Sequence, residues 1–421
     1  MKFTRRALVA AAAAAPGLAE AAQSASTVSA GGLPTTALPA KAAFAKMPFV
    51  YLDSGSTHPM PLGARAALEE YLRYKTRDGL WTGYSMDAKE RAMIAGFGAL
   101  VGAQPDELVQ IQSTTMGENL VLAALGYPQT GGRIVTDALH FFGSFYTYGE
   151  LAKAGVDVVT LPMTAEGRID MKAMEAAVTD KTKLVSVSHV STTNGFEHDL
   201  KKVCDIAHAH GAYVYADIVH GAGSTPLDLR AAGVDFAACS SYKWLMGDFG
   251  LAFLYVRKEI QEKIPRPWWG YHQVGGRFVT HVFPFDPPGE RTADYGYAQG
   301  ANGKFAMGTT SWTGVVQLEH SIGWINKIGV PAIQAHRQPM ADAIQTELRR
   351  RGYQPMTPQD SRTPLVAFAL KDARAKLGDL LQKNDIRMTV SGNRFRVSLS
   401  VFNDMNDVDK LLAVLPKAPP A

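Results

Sequence analysis

Short apolar runs alternate with longer amphipathic ones from about Pro48 onward, and this alternation restricts the chain to few folds. Strands are predicted over Leu108–Ile111, Arg133–Thr136, Asp157–Leu161, Leu184–Ser188, Ala212–Ala216, Phe236–Ser240 and Leu251–Tyr255. Helix-like stretches lie between them, such as Leu200–His210, which stops at Gly211 in the manner of a helix C-terminus. Strand–helix alternation predicts an α/β layer fold with a mainly parallel sheet. Ligands of such folds bind beyond the carboxyl ends of the strands, so polar residues just after each strand are the ones to weigh. After about Gly303 the pattern changes to helices over Val315–Ile328 and Pro331–Arg350. A strand over Phe395–Ser400 and a helix over Val408–Leu415 follow. This predicts a large domain over 46–300 and a smaller α+β C-terminal domain over 301–421, with 60–75 a candidate to join the latter.

The 421 residues carry a net charge of +4 and no dense Lys/Arg run, so nothing points to nucleic acid. Only two cysteines occur, Cys204 and Cys239, which excludes a disulfide framework, and no Cys/His spacing fits zinc. Residues 1–25 read as an export signal: Arg5-Arg6, an apolar run from Ala7 to Ala15, then small residues. The run is far below the roughly 20 residues that span a bilayer, so no stable membrane association is expected. The arginine pair resembles a twin-arginine signal, which implies the Tat export machinery as a partner and the periplasm as location. Residues 26–45, rich in Ser, Thr, Ala, Gly and Pro, read as a linker.

Two segments carry the chemistry. In Tyr213-Val-Tyr-Ala-Asp217-Ile-Val-His220 a carboxylate ends a strand that should be buried, and a buried Asp needs a cationic or donor partner. A protonated ring nitrogen is one such partner; a turn or cap is the plain alternative. In Cys239-Ser240-Ser241-Tyr242-Lys243-Trp244 a strand ends in hydroxyl residues and then presents a lysine. A partly desolvated lysine has a lowered pKa and can attack carbonyl carbon, while Ser240 and Tyr242 can bond a neighbouring phosphate. Taken alone, a lysine after a strand is ordinarily a surface residue.

The order strand–Asp–x–x–His, then strand–Ser–x–Tyr–Lys, resembles the class V aminotransferase family of fold-type I pyridoxal-phosphate (PLP) enzymes, from about Tyr51 to the C-terminus. The resemblance implies PLP as cofactor, with Lys243 as the Schiff-base lysine and Asp217 on the ring nitrogen. Tyr51-Leu-Asp-Ser-Gly-Ser56-Thr is similar to the family's opening strand and substrate-side loop. Ser113-Thr-Thr115-Met116-Gly-Glu-Asn-Leu is similar to its phosphate loop, where a helix start favours an anion; Thr115 and the Met116 backbone are the implied contacts. His140, after Val135-Thr-Asp-Ala-Leu, is implied to stack on the cofactor ring and move protons. Ser191-Thr192-Thr-Asn-Gly matches the loop facing the cofactor hydroxyl, where relatives often carry Asn in place of Thr192; His220 is a second candidate for that contact. Phe305-Ala306-Met-Gly-Thr309 resembles a segment that reaches the neighbouring subunit's phosphate, with Ala306 in place of Glu, and implies a homodimer. Arg396, in Arg394-Phe-Arg396-Val-Ser, is the implied substrate carboxylate anchor, with Ser56 and Thr192 beside the substrate and Arg394 a competitor.

PLP chemistry branches by which Cα bond breaks. A desulfurase needs a nucleophilic cysteine late in the chain, and none lies in 301–421. The expected function is therefore a periplasmic PLP-dependent aminotransferase acting on a small molecule or peptide, such as a secreted natural product. The Asn194-Gly195-Phe196 and Asp217-x-x-His220 segments resemble the isopenicillin-N-epimerase-like branch, and Ser-Tyr-Lys with Trp268-Trp269-Gly270 resembles kynureninase. An epimerase, a kynureninase-like enzyme, a thiol-independent cysteine or selenocysteine lyase, and a binding protein without catalysis are the alternatives.

Overall fold

A computed structural model describes residues 36–77 and 84–420. The expected signal, 1–25, lies outside the described residues. Of the expected linker, 36–45 lies within them, and it packs: Ala40 and Phe44 are buried, and the Ala40 N–H donates to the Val401 carbonyl at 2.8 Å.

The first part of the chain contributes strands β1 (Val50–Tyr51), β2 (Leu108–Ile111), β3 (Arg133–Asp137), β4 (Val158–Leu161), β5 (Thr182–Ser188), β6 (Tyr213–Asp217), β7 (Phe236–Ser240) and β8 (Ala252–Val256). Between them run α1 (Leu62–Arg77), α2 (Met86–Val101), α3 (Thr114–Ala124), α4 (Phe142–Lys153), α5 (Met171–Ala177), α6 (Leu200–Ala209) and α7 (Leu229–Ala232). Seven strands form one sheet in the order β2-β8-β7-β6-β5-β3-β4. The pairs from β7 to β4 are parallel, and β8 is antiparallel to both neighbours. The reason is length. A parallel return needs a crossover of roughly a dozen residues or more, and only the loop 241–251 separates β7 from β8. Every residue of β7 and β8 is buried, as expected for strands covered on both faces.

The remainder holds α8 (Lys258–Gln261), a hairpin of β9 (Val274–Thr280) and β10 (Ala293–Tyr297), then α9 (Gly300–Phe305), α10 (Trp312–Ile328) and α11 (Val330–Arg350). A second sheet follows from β11 (Gln354–Pro355), β12 (Leu365–Ala369), β14 (Thr389–Val390) and β15 (Arg394–Ser398), all antiparallel, in the order β11-β12-β15-β14. Helices α12 (Ala373–Lys383) and α13 (Met405–Val414) and strand β13 (Ile386–Arg387) complete the chain.

The segment 60–75 packs against the 301–421 part of the chain through a helix of it and not through its sheet. It lies largely in α1, whose Tyr71 and Tyr74 pack on Val316 of α10. Earlier in the chain β1 pairs in parallel with β13, and Asp53 bridges to Ser398 of the second sheet. Among the described residues no helix is long and apolar enough to cross a membrane, and no cluster of His, Cys, Asp or Glu is arranged to hold a metal ion.

Candidate active site

Strands β6 and β7 are parallel neighbours and end together, Asp217 pairing with Ala238. Their carboxyl ends therefore present Asp217 and the Lys243 loop to the same edge of the sheet. Lys243 is buried, and burial pushes its pKa down to about 8 against the opposing pull of Asp217. Its Nζ lies 3.0 Å from His220 Nε2, and the Trp244 indole N–H donates to His220 Nδ1 at 3.1 Å. The Asp217 carboxylate accepts the Val219 N–H at 2.9 Å and has no cationic side chain of the described residues in ion-pair range. Burial raises its pKa. A carboxylate so placed is complete only with a further donor.

Beyond β2, Ser113 caps α3 by accepting the Met116 N–H at 3.2 Å. Ser240 Oγ takes the Thr114 N–H at 3.0 Å and lies 2.7 Å from Thr114 Oγ1. Ser240, expected on the phosphate, is thus the strut that fixes α3 to the end of β7. Thr115 between these caps is exposed, so the first turn of α3 offers a helix N-terminus to solvent. Gly117 permits this contact, because a Cβ there would come within 2.9 Å of Ala238 Cβ and 2.8 Å of Ile111 Cδ1. Tyr242 is partly buried and stacks on Phe249 at 4.5 Å, with Lys243 Nζ 5.7 Å from its ring centre.

His140 is buried and both ring nitrogens are engaged. Nδ1 accepts the Phe141 N–H at 2.8 Å and lies 2.8 Å from Ser188 Oγ; Nε2 lies 3.1 Å from Ser186 Oγ and 3.4 Å from Glu118 Oε1. The Phe141 contact needs a lone pair on Nδ1, which puts the ring proton on Nε2, facing Glu118. Tyr148 and Ser144 of α4 donate to the same carboxylate at 2.6 and 2.8 Å. Burial would raise the Glu118 pKa, but His140 and these hydroxyls overcome it and hold the carboxyl below its ordinary range. Sequence reading missed Glu118. The signal was present: Val121 and Leu122, three and four residues on, are buried on the same side of α3.

Arg396 on β15 is buried beneath the 191–194 loop. Its Nη1 donates to Thr192 O and Oγ1 at 2.9 and 2.8 Å, and its Nη2 to Ser56 Oγ and Thr389 Oγ1, both at 3.0 Å. Asp53 lies 3.7 Å away, and burial lowers the guanidinium pKa to about 10. The expected trio Arg396, Ser56 and Thr192 is therefore in direct contact, joined by Asp53 and Thr389, which the sequence did not mark. Arg394 donates only to Thr193 O among the described residues. Gly195, at φ +75°, lets the loop turn against β12, since a Cβ there would sit 2.5 Å from Leu365 O. Thr309 stands apart: it is exposed, 3.4 Å from His272 Nε2, with no described contact to the Lys243 cluster. Both thiols are buried, Cys204 on α6 and Cys239 on β7, and burial pushes each pKa up.

A buried amine near neutrality, a buried carboxylate lacking a cationic partner and an open helix N-terminus match the three poles of PLP: its aldehyde, its ring nitrogen and its phosphate. The comparisons agree. The family Aminotransferase class-V matches residues 50–411. A probable cysteine desulfurase of Methanothermobacter thermautotrophicus is 31% identical over 306 residues, covering 70% of this chain and 71% of that protein. One from Halobacterium salinarum is 25% identical over 397 residues, covering 88% and 91%. Among solved structures, the cysteine desulfurase CsdA of Escherichia coli superposes with a TM-score of 0.76 at 23% identity, covering 89% of this chain and 97% of that one. A cystine C–S lyase in complex with cysteine persulfide superposes with a TM-score of 0.75 at 18% identity, covering 87% and 97%. These relatives carry the names of desulfurases and of a C–S lyase rather than those of aminotransferases, epimerases or kynureninases. The chain belongs to the class-V aminotransferase family of pyridoxal-phosphate-dependent enzymes.

Proposed function

We propose that the protein is a thiol-independent carbon–sulfur lyase, acting on cysteine or its disulfide by β-elimination and releasing the sulfur to solvent. One observation carries this reading: its relatives are named for desulfurization, yet both of its cysteines are buried. A persulfide-forming desulfurase needs an accessible thiolate, and burial of Cys204 and Cys239 keeps both thiols protonated. β-Elimination needs none. L-cysteine and water give sulfide, pyruvate and ammonia, and cystine gives cysteine persulfide in place of sulfide, with no oxidant or reductant in either case.

Each residue has a task in this scheme. Arg396 orients the substrate carboxylate, with Ser56 and Thr192 holding the guanidinium. Asp217 would hold the cofactor ring nitrogen, and the start of α3 at Thr115 its phosphate, the Met116 N–H being taken by Ser113 Oγ. Lys243 would hold the cofactor aldehyde, and as a free amine it takes the substrate α-proton. When bound, PLP supplies an electron sink adjacent to that carbon. The Cβ–S bond then breaks and the sulfur leaves as an anion. The enzyme is further proposed to be a homodimer, supported by the exposure of Thr309 and of the aromatic residues on the β9–β10 hairpin.

The test is product analysis with L-cysteine and L-cystine. Pyruvate together with sulfide or persulfide is expected. Alanine as sole carbon product would point to a desulfurase, and pyridoxamine phosphate to a transaminase; either result contradicts the proposal.

A further inference from the structure

Two aromatic side chains, Trp244 and His220, meet behind Lys243. Trp244 is buried among Val190 and Leu365, and its ring lies edge-on to both His220 and His58, at 6.4 and 6.5 Å. The indole N–H donates to His220 Nδ1 at 3.1 Å. An indole N–H can only donate, so His220 Nδ1 must offer a lone pair. A neutral imidazole has one proton, and it must then be on Nε2. That nitrogen lies 3.0 Å from Lys243 Nζ. An ammonium has no lone pair and would set two donors head to head.

We propose that Trp244 is a positioning residue, which fixes the Nε2–H tautomer of His220 and so holds Lys243 as a neutral, hydrogen-bond-accepting amine. The other groups facing Nζ divide. Asp217 and the face of Tyr242 favour the ammonium, as does any ionization of Cys239, while Arg396 and burial oppose it. His58 adds no charge: its Nδ1 lies 2.8 Å from the Pro59 carbonyl, which can only accept, and its Nε2 faces Ser400 Oγ. Burial lowers its pKa to about 4. The Trp244–His220 pair is thus a directional device against the pull of Asp217, and it enlarges the share of the lysine that is free amine, able to attack a carbonyl, near neutral pH.

This inference rests on cofactor attachment at Lys243 and not on the carbon–sulfur reading, and its test uses no substrate turnover. Trp244→Phe keeps an aromatic ring and removes the donor. Nδ1 can then take the proton, and Nε2 becomes an acceptor for a Lys243 ammonium. Rates of pyridoxal phosphate capture by the cofactor-free protein, followed by absorbance across pH, should show the titration displaced upward by about one unit, hence about tenfold slower capture near neutral pH. Capture at high pH should be unchanged. Histidine side-chain 15N spectra of the cofactor-free wild type provide a second readout, with the His220 signals assigned by their loss in His220→Gln. The Nε2–H tautomer is expected. An Nδ1–H tautomer in the wild type, or a folded Trp244→Phe protein that titrates where the wild type does, would overturn the proposal. If Trp244→Phe does not fold, the wild-type tautomer decides alone.

Discussion

Arg396 is held before any substrate arrives by four neutral acceptors of its own chain, with Asp53 at 3.7 Å. That arrangement keeps a buried guanidinium charged at neutral pH while its nearest anion lies beyond hydrogen-bond range, so a substrate carboxylate would complete it. Lysine cannot reproduce the fork. Arg396→Lys should therefore lower kcat/KM for cysteine by about thirtyfold, the value of about 2 kcal/mol for a hydrogen bond to a charged group, mainly through KM. Arg394→Lys should change it little, because Arg394 donates only to Thr193 O among the described residues. Steady-state kinetics of the two variants rank the arginines, and the reverse order would remove Arg396 as the anchor. The Lys243 amine makes a prediction with a defined sign. Its pKa near 8 means that cofactor capture by the cofactor-free protein accelerates as pH rises through about 8, because the ammonium below that pH cannot attack. A pH-independent rate between 6 and 10, roughly the span over which such an amine titrates, would contradict it.

At the scale of elements, α3 is locked at two points. Ser240 ties its first turn to β7, and Glu118 ties its body to α4 through Ser144 and Tyr148 and to the end of β3 through His140. Taking the charge from such a buried, hydrogen-bonded carboxylate leaves its donors poorly matched, at a cost of roughly 2 kcal/mol. Glu118→Gln should lose about that much stability at neutral pH in urea unfolding. The Glu118 pKa is depressed in the folded state, so its contribution is present above the unfolded carboxyl pKa and is lost as pH falls through the folded value. The gap between wild type and Glu118→Gln should therefore close in acid; a gap that widens there would show that another group carries the effect. The strands of the large sheet were legible because each is a buried apolar run bounded by turn residues, and the predicted spans fall within two residues of those observed. The Lys243, Asp217 and Arg396 segments were legible because each sits just after or on such a strand. The Trp244–His220 contact and the Glu118 network were not, because both depend on side-chain directions set by packing between distant segments. The docking of 50–53 on the second sheet was hidden for the same reason: β1 has only two residues, too few for any period to register.

Across the whole molecule, apolar exposure concentrates after β8. Trp269, Tyr271, Phe278, Phe283 and Phe285 are exposed on or near the β9–β10 hairpin, on the same side of the sequence as Thr309. Exposed aromatics gathered in one segment are candidates for a surface covered in an assembly. The proposed homodimer should scatter light with twice the mass of the 45.4 kDa chain, and Phe283→Ser with Phe285→Ser should shift it toward the monomer. A wild type that remains monomeric at all concentrations would remove that proposal without touching the chemistry at Lys243. The chemistry itself turns on whether sulfur leaves the enzyme directly or by way of a protein thiol. The most direct measurement is turnover of L-cystine by the cysteine-free variant, Cys204→Ala with Cys239→Ala. Pyruvate and cysteine persulfide formed near the wild-type rate are the predicted result. Loss of turnover in a folded, PLP-loaded variant, or alanine in place of pyruvate, would contradict the account.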